Sequence, residues 1–299
     1  MPRLGPVLAL AFVAALHAPH ARALPQAAWT ADIDAIRQAA RVIPGRQPLR
    51  INFLKFAESR RTKNFSVKGA PSSPSVQART AFQVVYPDAY VMVDAGMDLD
   101  VHRFFGRGTE EPYDAAAAAQ VQRAVDGARL IVVTHEHGDH VAGVIRPANA
   151  ATLAARTILT RTQVDVLRTR PQMPDIRLTD EAARRYIVVD YDRYLPVAPG
   201  MVLVKAAGHT PGSQMVYVAL GSGREYLLIG DATWHMDGVR LVRGKDAPWV
   251  TEDERAVLDQ LGWLNQLART APDIVVVASH DEEQHADLVK KQLLSNRLE

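Results

Sequence analysis

Residues 134–140 read Thr-His-Glu-His-Gly-Asp-His, which gathers His135, His137, Asp139 and His140 within six positions. The segment comes straight after Leu130–Val133, an apolar β-branched run that reads as a buried strand. In an extended segment alternate side chains face the same way, so His135 and His137 can converge on one point. Gly138 lets the chain turn there. Asp139 and His140 then open a helix through Val144 and face a second point close by. Neutral imidazoles and carboxylates in this pattern suit a pair of divalent cations such as zinc, iron or manganese. A charged surface turn has no reason to place so many ligating side chains directly behind a buried strand.

Three more residues sit just past the end of an apolar run. His209 follows Met201–Val204 in Gly208-His209-Thr210-Pro211-Gly212-Ser213, where Pro211-Gly212 suits a tight turn. Asp231 follows Tyr226–Ile229 by way of Gly230, and His280 follows Ile274–Ala278 by way of Ser279. Alone, each would more often be structural. Loops at the ends of neighbouring strands meet at one edge of a sheet, however, so together they can complete the ligands that two cations need. The chain has no Cys, hence no thiolate site, no disulfide framework and no Cys nucleophile. Any metal must be held by His and carboxylates.

The elements that position these loops are short β-branched runs: Leu49–Leu54, Phe82–Tyr86, Tyr90–Val93, Leu130–Val133, Thr157–Leu159, Tyr186–Val189, Met201–Val204, Met215–Ala219, Tyr226–Ile229 and Ile274–Ala278. Hairpin-like groups at 82–93 and 215–229, each followed by helices, predict two packed sheets with helices outside rather than one alternating parallel sheet. Glu252–Arg269 predicts an amphipathic helix with Val257, Leu258, Leu261, Leu264 and Leu267 on one face, and a second helix, Glu282–Leu294, closes the chain. Ala115–Ala119 reads as a short helical stretch. Ser59–Ser75, rich in Ser, Pro and Gly, reads as a long surface loop with Arg60, Arg61, Lys63 and Lys68 solvated. There is no internal repeat or low-complexity tract.

The first residues read as an export signal, residues 1–23: Arg3, an apolar run Val7–Leu16, and Ala21-Arg22-Ala23 as a cleavage site. That run is shorter than the roughly 20 apolar residues a bilayer span needs, and no Cys follows for a lipid anchor. The expectation is a periplasmic or secreted protein with one domain over residues 24–299. The chain carries 35 Lys and Arg against 33 Asp and Glu, and loss of Arg3 and Arg22 with the leader brings them to parity. Such balance gives no reason to expect nucleic acid or an anionic membrane as partner.

From Val93-Asp94-Ala95-Gly96 to His280 the sequence resembles the metallo-β-lactamase superfamily. The resemblance implies an α+β fold, an αββα sandwich of two mixed β-sheets flanked by helices. It implies that His135, His137 and His209 hold one metal, that Asp139, His140 and His280 hold another, and that Asp231 bridges them. Asp94 resembles the family's carboxylate that steadies the ligand loops. His102, His235 and His285 match no ligand position. Within the family, Gly208–Gly212, Asp231-Ala232-Thr233-Trp234 and His280-Asp281-Glu282-Glu283-Gln284 resemble the N-acyl-homoserine lactonase-like branch. That branch has a substrate-contacting Tyr where this chain has Trp234, an indole with one donor and no phenol.

Two cations sharing an oxygen lower the pKa of bound water, toward roughly 7 in the mononuclear zinc precedent. The chemistry implied is hydrolysis of a small-molecule substrate, a lactone or other carboxylic ester first, with Asp139 orienting the nucleophile and passing its proton on. Trp234 is the candidate substrate contact. A phosphodiester or thioester hydrolase, or a β-lactamase, would use the same metals; the superfamily's true β-lactamases generally lack the bridging carboxylate. A mononuclear iron sulfur dioxygenase would leave the second centre empty, against the presence of His280 beside Asp139 and His140.

Overall fold

A computed structural model describes Met1 and residues 28–299. The rest of the expected export signal, with its cleavage site, lies outside the described residues. The strands are β1 Arg50–Thr62, β2 Pro74–Val85, β3 Tyr90–Val93, β4 Leu130–Val132, β5 Thr157–Thr160 and β6 Ile187–Val189, followed by β7 Tyr194–Ala198, β8 Met201–Lys205, β9 Gln214–Ala219, β10 Glu225–Leu228, β11 Ile274–Val277 and β12 Ser295–Asn296. They form a seven-stranded sheet in the order β12-β1-β2-β3-β4-β5-β6 and a five-stranded sheet in the order β11-β10-β9-β8-β7. Both are mixed: β1, β2 and β3 pair antiparallel and β3 to β6 parallel, while β7 to β10 pair antiparallel and β10 pairs parallel with β11.

Side chains alternate across a pleated strand, and these strands are apolar on both faces because both are covered. Val91, Val93 and Val132 meet Leu203, Val216, Val218 and Leu228 between the sheets. On the outer face of the larger sheet, Met92, Ile131 and Val133 pack with Val121 and Val125 of the helix Ala115–Gly127 and with Val141 and Val144 of the helix Gly138–Ile145. On the outer face of the smaller sheet, Val202, Val204 and Tyr217 pack with Val257, Leu261, Leu264 and Leu267 of the helix Glu254–Thr270. The result is the αββα sandwich of two mixed sheets expected from the sequence. Asp253, whose carboxylate accepts from the Ala256 amide, caps that last helix two residues later than its expected start.

The stretch Ser59–Ser75 departs from expectation. Only residues 67–73 form a loop, mostly exposed; the rest is the last four residues of β1, a short helix Lys63–Ser66 and the start of β2. β1 and β2 stay paired out to Thr62 opposite Pro74. Three of the polar residues here are held from within rather than solvated. Ser59 is fully buried, Arg61 pairs with Glu111 and lies over the Trp249 ring, and Lys63 pairs with Asp237. Arg60 and Lys68 alone of the four basic residues keep mostly exposed side chains. Gly138 also acts differently from expected. It starts its helix without a left-handed turn, and an added Cβ would stand 2.9 Å from Val101 Cγ1, so the glycine serves close packing. No helix among the described residues is long and apolar enough to cross a membrane.

His285, on the helix Glu282–Lys290, belongs to the core: Nε2 donates to the Ala278 carbonyl (2.8 Å) and the ring lies 5.0 Å from that of Phe53. Burial pushes its pKa down to about 4. Because the unfolded chain titrates near 6.5, the stability contributed by this neutral ring is complete above about pH 6.5 and is lost as pH falls toward the folded value. Urea unfolding across that window should show a loss on the order of 3 kcal/mol from this group. His285→Leu should flatten that share of the acid slope; an unchanged slope in the variant would contradict this.

Candidate metal centre

The loops after β4, β8, β10 and β11 open at one edge of the sandwich and bring seven side chains together. His135 Nε2 and His209 Nε2 lie 3.1 and 3.2 Å from His137 Nδ1, so three ring nitrogens face one point. Asp139, His140 and His280 form a second group, with Asp139 Oδ2 3.4 Å from His140 Nε2 and 3.5 Å from His280 Nε2. Asp231 stands between the groups. Its Oδ2 is 3.5 Å from His209 Nε2, and its Oδ1 is 3.5 Å from His140 Nε2 and 3.0 Å from His280 Nε2. Gly230, in the left-handed region at φ 54°, turns the chain so that Asp231 can enter this space.

Three of the five imidazoles, His209, His140 and His280, are aimed from behind. His209 Nδ1 meets Glu252 Oε2 at 2.9 Å, and buried Lys245 pairs with that same oxygen at 2.8 Å. His140 Nδ1 meets Asp94 Oδ2 at 2.8 Å, and His280 Nδ1 meets the Ala78 carbonyl at 2.6 Å. In their neutral form, with Nδ1–H donating to these acceptors, the three rings would present Nε2 lone pairs to the centre. Asp94 also accepts from the Thr134 amide (2.7 Å) and hydroxyl (2.9 Å). It does so from a left-handed backbone at φ 65°, a conformation that costs a non-glycine residue about 1–2 kcal/mol. Glu136, inside the motif, faces away from the centre. Its carboxylate accepts from the Thr210 hydroxyl and the Gly212 amide, locking the 208–213 turn onto the 134–140 loop.

Electrostatics follow from burial and crowding. Burial, then the closeness of His209, pushes His137 down to about 3, and His135 is likewise held far below the usual imidazole range. Burial would raise Asp139 and Asp231. The imidazoles around both, and Arg79 beside Asp139, outweigh it and keep both carboxyls well below the usual range. Burial opposes charge on His140 too, but Asp139, Asp94 and Asp231 hold its pKa above the ordinary value. His140 Nε2 and Asp231 Oδ1 are buried with no hydrogen-bond partner. Buried polar atoms are nearly always satisfied. These two face each other across a space lined by nitrogen and carboxylate donors, which fits divalent cations of the zinc, iron or manganese type.

All seven residues singled out as ligands therefore converge, and Asp94 contacts the ligand loop. Trp234, the candidate substrate contact, is buried beside the centre. Its one donor, Nε1, is spent on Asp231 Oδ2 at 2.7 Å, and Lys245 Nζ lies 5.5 Å from its ring centre. Sequence reasoning missed Arg79, whose guanidinium contacts Asp139 Oδ2 and donates to Ser59 Oγ, and it missed the Lys245–Glu252 pair behind His209. A lone arginine inside a strand covered on both faces was the available signal. His102, with Nε2 3.2 Å from the Glu111 carbonyl, His235, near Asp237 and Asp281, and His285 stand in neither group and not beside Asp231.

The sequence profile of the metallo-β-lactamase superfamily matches residues 76–280, and the chain belongs to that superfamily. Its fold is similar to that of an N-acyl homoserine lactone hydrolase solved with the product N-hexanoyl-L-homoserine at its catalytic metal centre. Identity there is 16%, covering 81% of this chain and 96% of that one, with a TM-score of 0.64. It is also similar to a probable metal-dependent hydrolase from Staphylococcus aureus (14% identity, 80% and 91% covered, TM-score 0.60). A dizinc quorum-quenching lactonase in complex with N-hexanoyl-L-homoserine is a third (15% identity, 80% and 91% covered, TM-score 0.56). At these identities the likeness is one of fold. A search of curated protein sequences finds no match. Superfamily and His/Asp clusters together support a metal-dependent hydrolase.

Trp234→Phe removes the donor to Asp231 while keeping an aromatic ring. Asp94→Asn keeps a residue that tolerates the left-handed backbone but removes the charge behind His140. Each should weaken metal uptake roughly 10- to 100-fold in competition with a chelating dye. Uptake equal to wild type would show that the contact does not orient its ligand.

Proposed function

We propose that the protein is an exported hydrolase that works with two divalent cations, zinc first, and opens a lactone or another carboxylic ester. The observation that carries this is Asp231, buried between the two clusters, with Oδ2 3.5 Å from His209 Nε2 and 3.2 Å from His280 Nε2 and Oδ1 3.0 Å from His280 Nε2. His135, His137 and His209 are assigned to the first cation, Asp139, His140 and His280 to the second, and Asp231 to both. When bound, such a pair supplies a water of lowered pKa and a Lewis acid for the substrate's oxygen. Trp234 fixes which way Asp231 faces, Glu252 with Lys245 fixes the His209 ring, and Asp94 fixes that of His140. Asp139 is assigned to orient the attacking water and pass its proton to the leaving oxygen.

A cleft of about 1080 Å³ runs outward from His137, His209 and Thr210, past Val166 and Pro211, to Trp29 and Tyr194. Small-molecule sites span roughly 300–1,000 Å³, so the cleft has room for an organic substrate with an extended side group. Two of the structural neighbours named above hold N-hexanoyl-L-homoserine, which favours a lactone or related ester here. The indole of Trp234 is already engaged with Asp231, so whatever contacts the substrate's carbonyl side is not its N–H. Export rests on the pattern of residues 1–23; amino-terminal sequencing of protein from its native source should begin at Leu24.

Purified protein loaded with Zn²⁺ should hydrolyse members of a lactone and aryl-ester panel faster than thioester, phosphodiester or cephalosporin chromogens. His140→Ala should lower that rate by more than the roughly 10- to 100-fold that loss of an outer contact costs. Preference for the phosphodiester, or full activity in His140→Ala, would contradict the assignment.

A further inference from the structure

Arg79 has no part in the reading above, yet it touches the centre. It lies in β2, is 7% exposed, and sits with its guanidinium carbon 4.8 Å from the Phe105 ring centre. Nη2 donates to the fully buried Ser59 Oγ at 2.9 Å, and Nη1 contacts Asp139 Oδ2. Nε is buried without a hydrogen-bond partner. The oxygen it contacts is the one that approaches His140 Nε2 and His280 Nε2. The preceding residue, Ala78, carries the carbonyl that aims His280. One strand thus delivers to the second cluster both a neutral ligand-aiming contact and a permanent positive charge.

Among the described residues no cationic side chain pairs with a carboxylate or ring of the first cluster directly; Lys245 pairs with Glu252, which in turn contacts His209, and that pair is neutral as a whole. Two effects of Arg79 oppose each other. Its hydrogen bond holds Asp139 in place, which favours a cation; its charge repels any cation sharing that oxygen. Across a single carboxylate oxygen, in a site nearly closed to water, repulsion between a double and a single positive charge outweighs one charge-assisted hydrogen bond.

We propose that Arg79 sets the affinity of the second cation position: its guanidinium, anchored by Ser59 and in contact with the Asp139 oxygen facing His140 and His280, makes that position weaker for divalent cations than an uncharged residue would. Occupancy of the second position then follows the supply of free metal while the first stays filled. This rests on the two-cation assignment made above.

Titration of Zn²⁺ into chelator-stripped protein, followed by calorimetry with a competing chelator, tests it. Wild type should show a stronger and a weaker step. Arg79→Met and Arg79→Gln should tighten the weaker step at least about tenfold and leave the stronger within about threefold, while Arg79→Lys, which keeps the charge, stays close to wild type. Gln keeps a polar amide donor without the charge, so it separates charge from polarity and serves if Arg79→Met fails to fold by circular dichroism. Two wild-type steps with the weaker one unchanged or weakened in the Gln variant overturn the proposal and leave the two-cation assignment standing. One step in wild type and two in the Gln variant support the proposal and overturn that assignment for the native protein. A single step, or none, in every protein overturns both.

Discussion

Two carboxylates and five imidazoles lie buried at one edge of this sandwich with their free valences turned toward each other, and that arrangement constrains everything around it. In neutral rings whose Nδ1 is committed to Asp94, Glu252 or the Ala78 carbonyl, the remaining nitrogens face Asp139, Asp231 and one another as lone pairs. Protein groups alone leave His140 Nε2 and Asp231 Oδ1 without partners in a region where an unpaired polar atom costs about 1–3 kcal/mol. Divalent cations are the partners that such donors accept. Their binding would turn a destabilising cluster into a stabilising one, so metal uptake and folding stability should be linked.

The fold makes that cluster tolerable by supplying rigidity from several directions. The apolar faces of β3, β4, β8 and β10 fix where the strand ends stand. The loops that leave those ends are then cross-tied by buried hydrogen bonds: Asp94 to the Thr134 amide, Glu136 to the 208–213 turn, Gln163 to the carbonyls of Val133 and Gly212. The left-handed backbone at Asp94 persists because its three acceptor contacts over-determine it. Trp234 and Lys245 complete a continuous chain of contacts from Asp231 round to Glu252 and His209. The two side-chain clusters are therefore coupled through protein groups as well as through the Asp231 carboxylate between them.

Much of this was legible in the sequence because the ligands repeat one local rule, a His or Asp placed just beyond an apolar run. That rule located His135 to His140, His209, Asp231 and His280 and the sheets they end. It could not locate Arg79 or Glu252, whose roles come from pairings with residues distant along the chain, or Lys245, which acts through Glu252. The ends of the 59–75 stretch were misread because its composition is that of a loop, which only residues 67–73 form. Arg61 and Lys63 are held by Glu111, Trp249 and Asp237, none of them nearby in sequence. β7 was missed because Pro196 interrupts its pattern; the strand pairs with β8 on one side only, at the sheet edge, where a missing amide is tolerated. The direction in which Trp234 points its single N–H is likewise a property of the folded loop.

Anomalous diffraction from crystals of the metal-loaded protein, recorded on either side of the metal absorption edge, tests the account at its centre. Two peaks are predicted, one among His135, His137 and His209 and one among Asp139, His140 and His280, with Asp231 reaching both. A single peak that Asp231 does not touch, or no peak among these seven side chains, would contradict it.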